Sequence, residues 1–265
     1  MDKSKSYKVF LLLLIMSFRY NSIQRLSKKI FRKFFPVQKS SWTEGHVRDI
    51  CEVNLVPPEK LKNFFADCVR KLQEIKGKNI GDYLEFGVFN GSSMSSMYST
   101  AKSLEINSMR FFGFDAFQGL PKGSEKEDDG VWKKGFYSCS FEKMKECLKR
   151  KNVASENISW IKGWYNKTLN QKTIKKYKLN KIGIVFIDCD TYSSSKTVLN
   201  FIGPLIKEEV ILCFDDWKLN DLDIKSMGEY KAFNEFLDEN TYLEAQEIKS
   251  YNRKSKSFIV KPKKS

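Results

Sequence analysis

Histidine is nearly absent from this chain of 265 residues, in which His46 is the single example. A lone histidine cannot build a zinc site or a Ser-His-Asp triad without help from other groups. This scarcity argues against several common hydrolase mechanisms.

The cysteines show no Cys-x-x-Cys pair and no regular framework, and two of the six lie inside apolar, strand-like runs. A chain of this length does not need disulfides to be stable. We therefore predict a cytosolic protein in which all six are reduced core residues: Cys51, Cys68, Cys139, Cys147, Cys189 and Cys213.

A long apolar run is also missing. Residues 9–16 form the longest one near the amino terminus, which is about half of the roughly 20 residues that a membrane-spanning helix needs. No small-x-small cleavage site follows, as a signal peptide would require. Further along, Ile23, Leu26, Ile30 and Phe34 recur at helical spacing among lysines and arginines, which predicts a basic amphipathic helix. Two interpretations stay open. In the first, residues 1–35 lie on an anionic membrane surface, at the inner face of the membrane. In the second, the helix packs on the folded domain.

Acidic residues are scarce only at the two ends of the chain. The net charge is +15, of which residues 1–40 carry +9 and residues 249–265 carry +7, so the remainder carries −1. A nucleic-acid partner would need a basic face on the folded domain, and the neutral body argues against such a partner. We divide the chain into a basic segment at 1–40 and one domain at 41–265. The chain can bury a large core, because 41% of its 265 residues are apolar.

Helical and strand-like segments alternate along that domain. Alternation over this length predicts an α/β fold with a doubly wound sheet. Such sheets bind ligands at the carboxyl ends of their strands. The apolar segments that predict strands are 83–88, 110–114, 158–161, 182–187, 210–214 and 258–260.

The first strand ends in a glycine turn with the pattern Glu85-x-Gly87-x-x-x-Gly91, and Ser92 can cap the helix that follows. The second strand ends at Asp115, where a carboxylate can accept hydrogen bonds from both ribose hydroxyls of a nucleoside. A carboxylate at this position can bind the ribose of NAD as well as that of S-adenosylmethionine. A dehydrogenase is the weaker interpretation, because the G-x-G-x-x-G pattern is missing.

Acidic residues follow the fourth and fifth strands, as Asp188-Cys189-Asp190 and Asp215-Asp216. The carboxyl ends of adjacent parallel strands lie about 4.8 Å apart, so these carboxylates should converge. Hard oxygen ligands in this number favour Mg²⁺ over zinc. The sequence therefore predicts a magnesium site.

These segments together resemble the macrocin O-methyltransferase-like proteins, class I methyltransferases that modify sugar hydroxyls. The resemblance implies a mostly parallel, seven-stranded Rossmann-like sheet with helices on both faces. It also implies S-adenosylmethionine, Mg²⁺ and O-methyl transfer to a small-molecule or glycan acceptor; whether the chain forms a homo-oligomer is left open. It implies metal ligands at Asp188, Asp215 and Asp216, a base at Asp188 with Asp190 as the alternative, and cofactor binding by Trp164 beside the glycine turn. The motifs that carry it are 81–88, 113–121, 162–169, 187–192 and 214–217.

Two departures from that family are visible. Glu208-Glu209 replace the Gly-Gly that usually precedes the fifth strand, and the basic amino terminus is not part of the family core. Two rival classes also remain. A nucleic-acid methyltransferase would carry an Asn/Asp-Pro-Pro-aromatic motif after the fourth strand, which residues 188–192 do not form. A non-catalytic, membrane-associated scaffold would keep the fold. It would have no reason to keep both the acid that binds a cofactor and the acids that bind a metal.

Overall fold

Seven strands form one sheet in the computed structural model, which describes Thr43 and residues 45–263. The strand order is β3-β2-β1-β4-β5-β7-β6. The first five strands in that order pair in parallel, whereas β7 runs antiparallel to both β5 and β6. The strands are β1 Asp82–Phe86, β2 Phe111–Asp115, β3 Ile158–Lys162, β4 Ile182–Ile187, β5 Val210–Phe214, β6 Leu243–Ile248 and β7 Lys256–Pro262.

The helices lie between the strands and cover both faces of the sheet. α1 begins at the Pro57-Pro58 pair, where a proline costs no hydrogen bond, and ends at Gly77 with a positive φ of 68°. The α-helices are α1 Pro58–Lys76, α2 Ser92–Ser103, α3 Phe141–Arg150, α4 Tyr165–Thr168, α5 Gln171–Tyr177, α6 Tyr192–Ile202 and α7 Gly228–Glu239.

The core is divided into two layers by the sheet. Alternate residues of β4 face opposite sides, so Phe186 packs with α1, α2 and α3 while Val185 and Ile187 pack with α6 and α7. Both faces are thus covered, as parallel sheets require. The predicted doubly wound, mostly parallel sheet is confirmed.

Two local features were harder to anticipate. The edge strand β6 is largely polar and half exposed, so its apolar pattern is too weak to predict a strand. Ahead of β5, Lys76 extends from the end of α1 and pairs with Glu208 at 2.6 Å, and its ammonium also donates to the carbonyl of Glu209 at 3.0 Å. These contacts explain how two glutamates are accommodated at this turn.

The prediction of six reduced cysteines is wrong for two of them. Cys51 and Cys147 form a disulfide across 96 residues of sequence. The pair joins the short 3-10 helix Ile50–Glu52 to α3, a contact that only the tertiary fold creates, which is why no spacing signal revealed it. The other four cysteines are buried thiols, as predicted. The disulfide removes one of the grounds for expecting a cytosolic compartment.

Residues 42–265 group into one compact unit. The boundary predicted at residue 40 and the basic amphipathic helix lie outside the described residues, so both stay predictions. Among the residues that the structure describes, no helix has the length and apolar character to span a bilayer.

We expect the double variant Cys51→Ser/Cys147→Ser to lose about 2 to 5 kcal/mol of unfolding free energy, because the crosslink restricts the unfolded chain. Urea denaturation followed by circular dichroism measures this loss. Dithiothreitol should destabilise the wild type to a similar extent and leave the double variant unchanged. Equal stability of oxidised and fully reduced wild type, with reduction verified by thiol titration, would contradict the assignment.

Candidate active site

A cavity of about 760 Å³ opens at the carboxyl ends of the parallel strands. Its walls come from the glycine turn after β1, the ends of β2 to β5, and the loop between β2 and α3, residues 116–140, which we call the β2–α3 loop. The residues predicted from the sequence that line it are Gly87, Asp115, Trp164, Asp188, Asp190, Asp215 and Asp216. One cavity therefore unites the predicted nucleoside and metal residues.

Gly87 is required by a close backbone approach between β1 and β4. It has a positive φ of 89°, and a Cβ atom there would lie 1.6 Å from the carbonyl oxygen of Asp188. At the other end of the turn, Gly91 has a φ of 75°, and a Cβ atom there would meet the side chain of Leu148 at 2.7 Å. No other residue type fits either position without displacing its neighbours.

Asp115 shapes the glycine turn. Its carboxylate accepts backbone hydrogen bonds from Val88 at 2.7 Å, Phe89 at 3.0 Å and Phe117 at 2.6 Å. Phe89 and Phe117 have φ values of 51° and 55°, a costly conformation for aromatic residues that these bonds help to hold. Burial raises the pKa of Asp115 and the backbone donors oppose that rise. Oδ2 already accepts two of these bonds and Oδ1 accepts one, so only Oδ1 has room for a further bond, and ribose binding stays a prediction.

Glu85 lies behind the cavity wall. It is fully buried, and it accepts hydrogen bonds from the hydroxyls of Tyr83 at 2.6 Å and Ser93 at 2.8 Å. Burial raises its pKa to about 8. The carboxyl group links β1 to the first turn of α2, so the observed contacts are structural and its part in cofactor binding stays a prediction.

The predicted capping by Ser92 is wrong, because Ser92 is the first residue of α2 and the N-cap is Gly91, without a side-chain cap. Ser92 lines a smaller neighbouring cavity, and its hydroxyl donates to the side-chain oxygen of Asn54 at 3.0 Å. Trp164 follows β3 and lines the main cavity. The contacts of both residues leave their predicted cofactor roles untested.

The carboxylates after β4 and β5 converge as predicted. One oxygen from each of Asp188, Asp215 and Asp216 lies within 4.8 Å of the others. Burial and the neighbouring acids raise the pKa of Asp188 and of Asp216 well above the usual range. Like charges this close need protons or a cation. Hard oxygen donors of this number fit a divalent cation such as Mg²⁺.

Asp190 completes the acidic side of the cavity. It is buried and has a φ of 65°. Burial raises its pKa to about 8, although a hydrogen bond with Asp216 opposes that rise. The hydroxyl of Tyr251 donates to Asp215, which lowers the pKa of that carboxyl against the effect of burial.

Two residues near the acids had no signal in the sequence. Glu229, in the first turn of α7, is fully buried and accepts the backbone N–H of Asp216 at 2.9 Å. Its second oxygen has no hydrogen-bond partner among the described residues. Tyr137 lines the cavity from the β2–α3 loop, and burial together with the nearby aspartates raises its pKa. Only the folded chain brings these two side chains to the site.

The sheet order, the glycine turn and the position of the cavity define a class I methyltransferase fold. A sequence profile described as Macrocin-O-methyltransferase (TylF) matches residues 14–246. The chain therefore belongs to that O-methyltransferase family.

Individual relatives are distant. A curated protein of Streptomyces olivaceus, 8-demethyl-8-(2,3-dimethoxy-alpha-L-rhamnosyl)-tetracenomycin-C 4'-O-methyltransferase, is 20% identical over 53% of this chain and 54% of its own length. The chain thus matches about half the length of this relative. The solved O-methyltransferase NovP has a TM-score of 0.60 at 18% identity, covering 77% of this chain and 80% of its own. The calicheamicin methyltransferase CalS11 has a TM-score of 0.54 at 19% identity, covering 79% and 88%. At such identities the two structures establish a shared fold.

We expect Gly87→Ala to lower the free energy of unfolding by at least about 3 kcal/mol, because the new methyl group forces the ends of β1 and β4 apart. Gly77→Ala is the matched control. Its φ is also positive, at 68°, but nothing lies within 4 Å of the added Cβ, so we expect a loss of about 1 to 2 kcal/mol. Urea denaturation compares the two variants, and equal losses would disprove a special close approach at Gly87.

The buried Glu85 predicts a pH-dependent stability. Its pKa is about 8 in the folded protein against an ordinary value of 4.5, so between these values the folded state holds a proton that the unfolded chain releases. Stability contributed by this proton is present at low pH and is lost as pH rises toward 8.

Glu85→Gln keeps a neutral side chain of the same shape at every pH. We expect the variant to gain at least about 1 kcal/mol relative to the wild type between pH 5.5 and pH 8, measured by urea denaturation. The exposed Glu74 supplies the control, since Glu74→Gln should follow the wild type across this range. Parallel curves for Glu85→Gln and the wild type would show that Glu85 is ionised throughout.

Proposed function

We propose that this protein transfers a methyl group from S-adenosylmethionine to a hydroxyl group of a sugar or glycan-type acceptor, with the assistance of Mg²⁺. The observation that carries the proposal is the convergence of Asp188, Asp215 and Asp216 in the cavity that also contains Gly87 and Asp115. Membership of the macrocin-O-methyltransferase family supports it.

S-adenosylmethionine would bind against the walls formed by β1, β2 and β3. Gly87 lets the backbone approach a ligand closely, Oδ1 of Asp115 can accept a further hydrogen bond, and Trp164 offers an aromatic face. S-adenosylmethionine is the substrate that supplies the methyl group. The glycine turn lacks the dinucleotide pattern, which favours this molecule over NAD.

The metal ion would bind against the walls formed by β4 and β5. Asp188, Asp215 and Asp216 would hold Mg²⁺, and Glu229 supports them by accepting the N–H of Asp216. A bound Mg²⁺ can hold a substrate oxygen and lower the pKa of its hydroxyl group.

The proton of the acceptor hydroxyl needs a base within the same cavity. Asp188 is the proposed base, because its carboxylate lines the cavity beside the proposed metal position. Asp190 lines the same cavity and is the alternative. The walls of the cavity would orient the hydroxyl oxygen toward the methyl carbon and exclude water.

The acceptor would lie between the aspartates and the β2–α3 loop, whose Phe136 and Tyr137 line the cavity. Aromatic side chains offer flat apolar surfaces with a polar edge, which suit a sugar ring. The curated relative carries a rhamnosyl acceptor in its name, and this supports a sugar-type acceptor for the present chain.

The test is the rate of methyl transfer from isotope-labelled S-adenosylmethionine to a panel of sugar nucleotides and glycosides. We expect Asp188→Asn to react at least about a hundredfold more slowly than the wild type, and EDTA to abolish transfer. Asp238→Asn, an exposed change on α7, is the matched control and should be fully active.

The Asp190→Asn variant separates the two candidate bases. An inactive Asp190→Asn beside a nearly normal Asp188→Asn would move the role of base to Asp190. If neither change slows an active enzyme, or if a verified metal-free protein is fully active, the metal-assisted mechanism is wrong.

A further inference from the structure

Asp128 in the β2–α3 loop joins three separate parts of the site. It is 7% exposed, and its φ of 50° lies in the left-handed region. One oxygen accepts hydrogen bonds from the backbone N–H of Tyr192 at 2.9 Å and the indole N–H of Trp132 at 3.1 Å. The other oxygen accepts the backbone N–H of Gly228 at 2.9 Å.

Two of those three donors are the first residues of helices. Tyr192 begins α6 and Gly228 begins α7, so one carboxylate satisfies an N-terminal N–H group of each helix. The negative charge also lies at the favourable end of both helix dipoles. Asp128 therefore acts as a cap that is supplied from a distant loop and shared by two helices.

Both helix starts lead directly to the acids of the cavity. Asp190 lies two residues before Tyr192 on the segment that links β4 to α6. Glu229 follows Gly228, and its carboxylate accepts the backbone N–H of Asp216. Asp128 is thus connected to the acids after β4 through one helix start and to those after β5 through the other.

Glu127, the residue before Asp128, adds two hydrogen bonds to the first turn of α6. The carboxylate of Glu127 accepts the backbone N–H of Ser193 at 2.9 Å and the hydroxyl of Ser193 at 2.8 Å. The β2–α3 loop itself is anchored by Trp132, which is 2% exposed and packs with Leu120 and Leu222. A loop held in this way can serve as a fixed support.

We propose that Asp128 is a positioning residue that fixes the first turns of α6 and α7 and thereby sets the spacing of the aspartates after β4 and β5. The residue does not contact the reacting groups. The inference rests on the proposed function only for the metal-binding measurement below, since the capping contacts exist without any ligand.

The first measurement needs no ligand. Asp128→Asn keeps the shape of the side chain but replaces one accepting oxygen with an NH₂ group, which must face a backbone or indole N–H. Hydrogen exchange followed by mass spectrometry should show at least tenfold faster exchange in the peptides that contain Tyr192 and Gly228. Peptides from β1 and α1 should be unchanged.

A matched variant controls for charge in the same loop. Asp129→Asn changes an exposed carboxylate that pairs with Lys225, and it should exchange at the wild-type rate at the two helix starts. Unchanged exchange in Asp128→Asn would overturn the proposal, as would an equal increase in Asp129→Asn, because the charge of the loop and not the shared cap would then hold the helices.

The second measurement compares two ligands in the same variant. We expect Asp128→Asn to weaken Mn²⁺ binding at least tenfold and to leave the affinity for S-adenosylhomocysteine within twofold of the wild type, both by calorimetry. Normal Mn²⁺ binding together with faster exchange would overturn the claim that Asp128 sets the aspartate spacing. If the wild type itself binds no Mn²⁺, the metal part of the proposed function fails, and the exchange result alone decides whether Asp128 is the shared cap.

Discussion

The crowding of buried carboxylates at the ends of β4 and β5 is the constraint on which the rest of the site depends. Burial raises the pKa values of Asp188, Asp190, Asp216 and Glu229, and the nearby carboxylate of Asp215 adds to each rise. Such a group is unstable unless its charge is neutralised and its geometry is held. Backbone and hydroxyl donors hold part of it, as Tyr251 does for Asp215. A divalent cation would supply the remaining neutralisation.

A close backbone contact joins the glycine turn after β1 to the acids after β4. Gly87 allows the end of β1 to touch the backbone of Asp188, so the proposed cofactor wall and the proposed metal wall share one point of contact. Asp115 then fixes the turn through the backbone N–H groups of Val88 and Phe89. A methyl donor on one wall and an acceptor hydroxyl on the other would be held at a short, fixed separation, which is how an enzyme accelerates a transfer of this kind.

Much of this arrangement could be predicted from the sequence, because parallel strands bring their carboxyl ends to one edge. Strong apolar runs predicted β4 and β5, and the residues that follow them therefore had to meet. The Cys51–Cys147 disulfide, the Glu229 contact and the shared cap at Asp128 could not be predicted, since each joins positions that are distant in sequence through packing alone. The burial of Glu85 could not be predicted either. The sequence places Glu85 in the glycine-turn motif, but only the structure shows that its side chain lies behind the wall of the cavity.

The central claim is that this cavity is the site of methyl transfer from S-adenosylmethionine. Calorimetric titration of the purified protein with S-adenosylhomocysteine, in the presence and absence of Mg²⁺, tests it most directly. We expect one equivalent to bind per chain and Mg²⁺ not to compete with it, because the two ligands would occupy different walls. No binding of S-adenosylhomocysteine in either condition would show that the cavity is not the site of methyl transfer from S-adenosylmethionine.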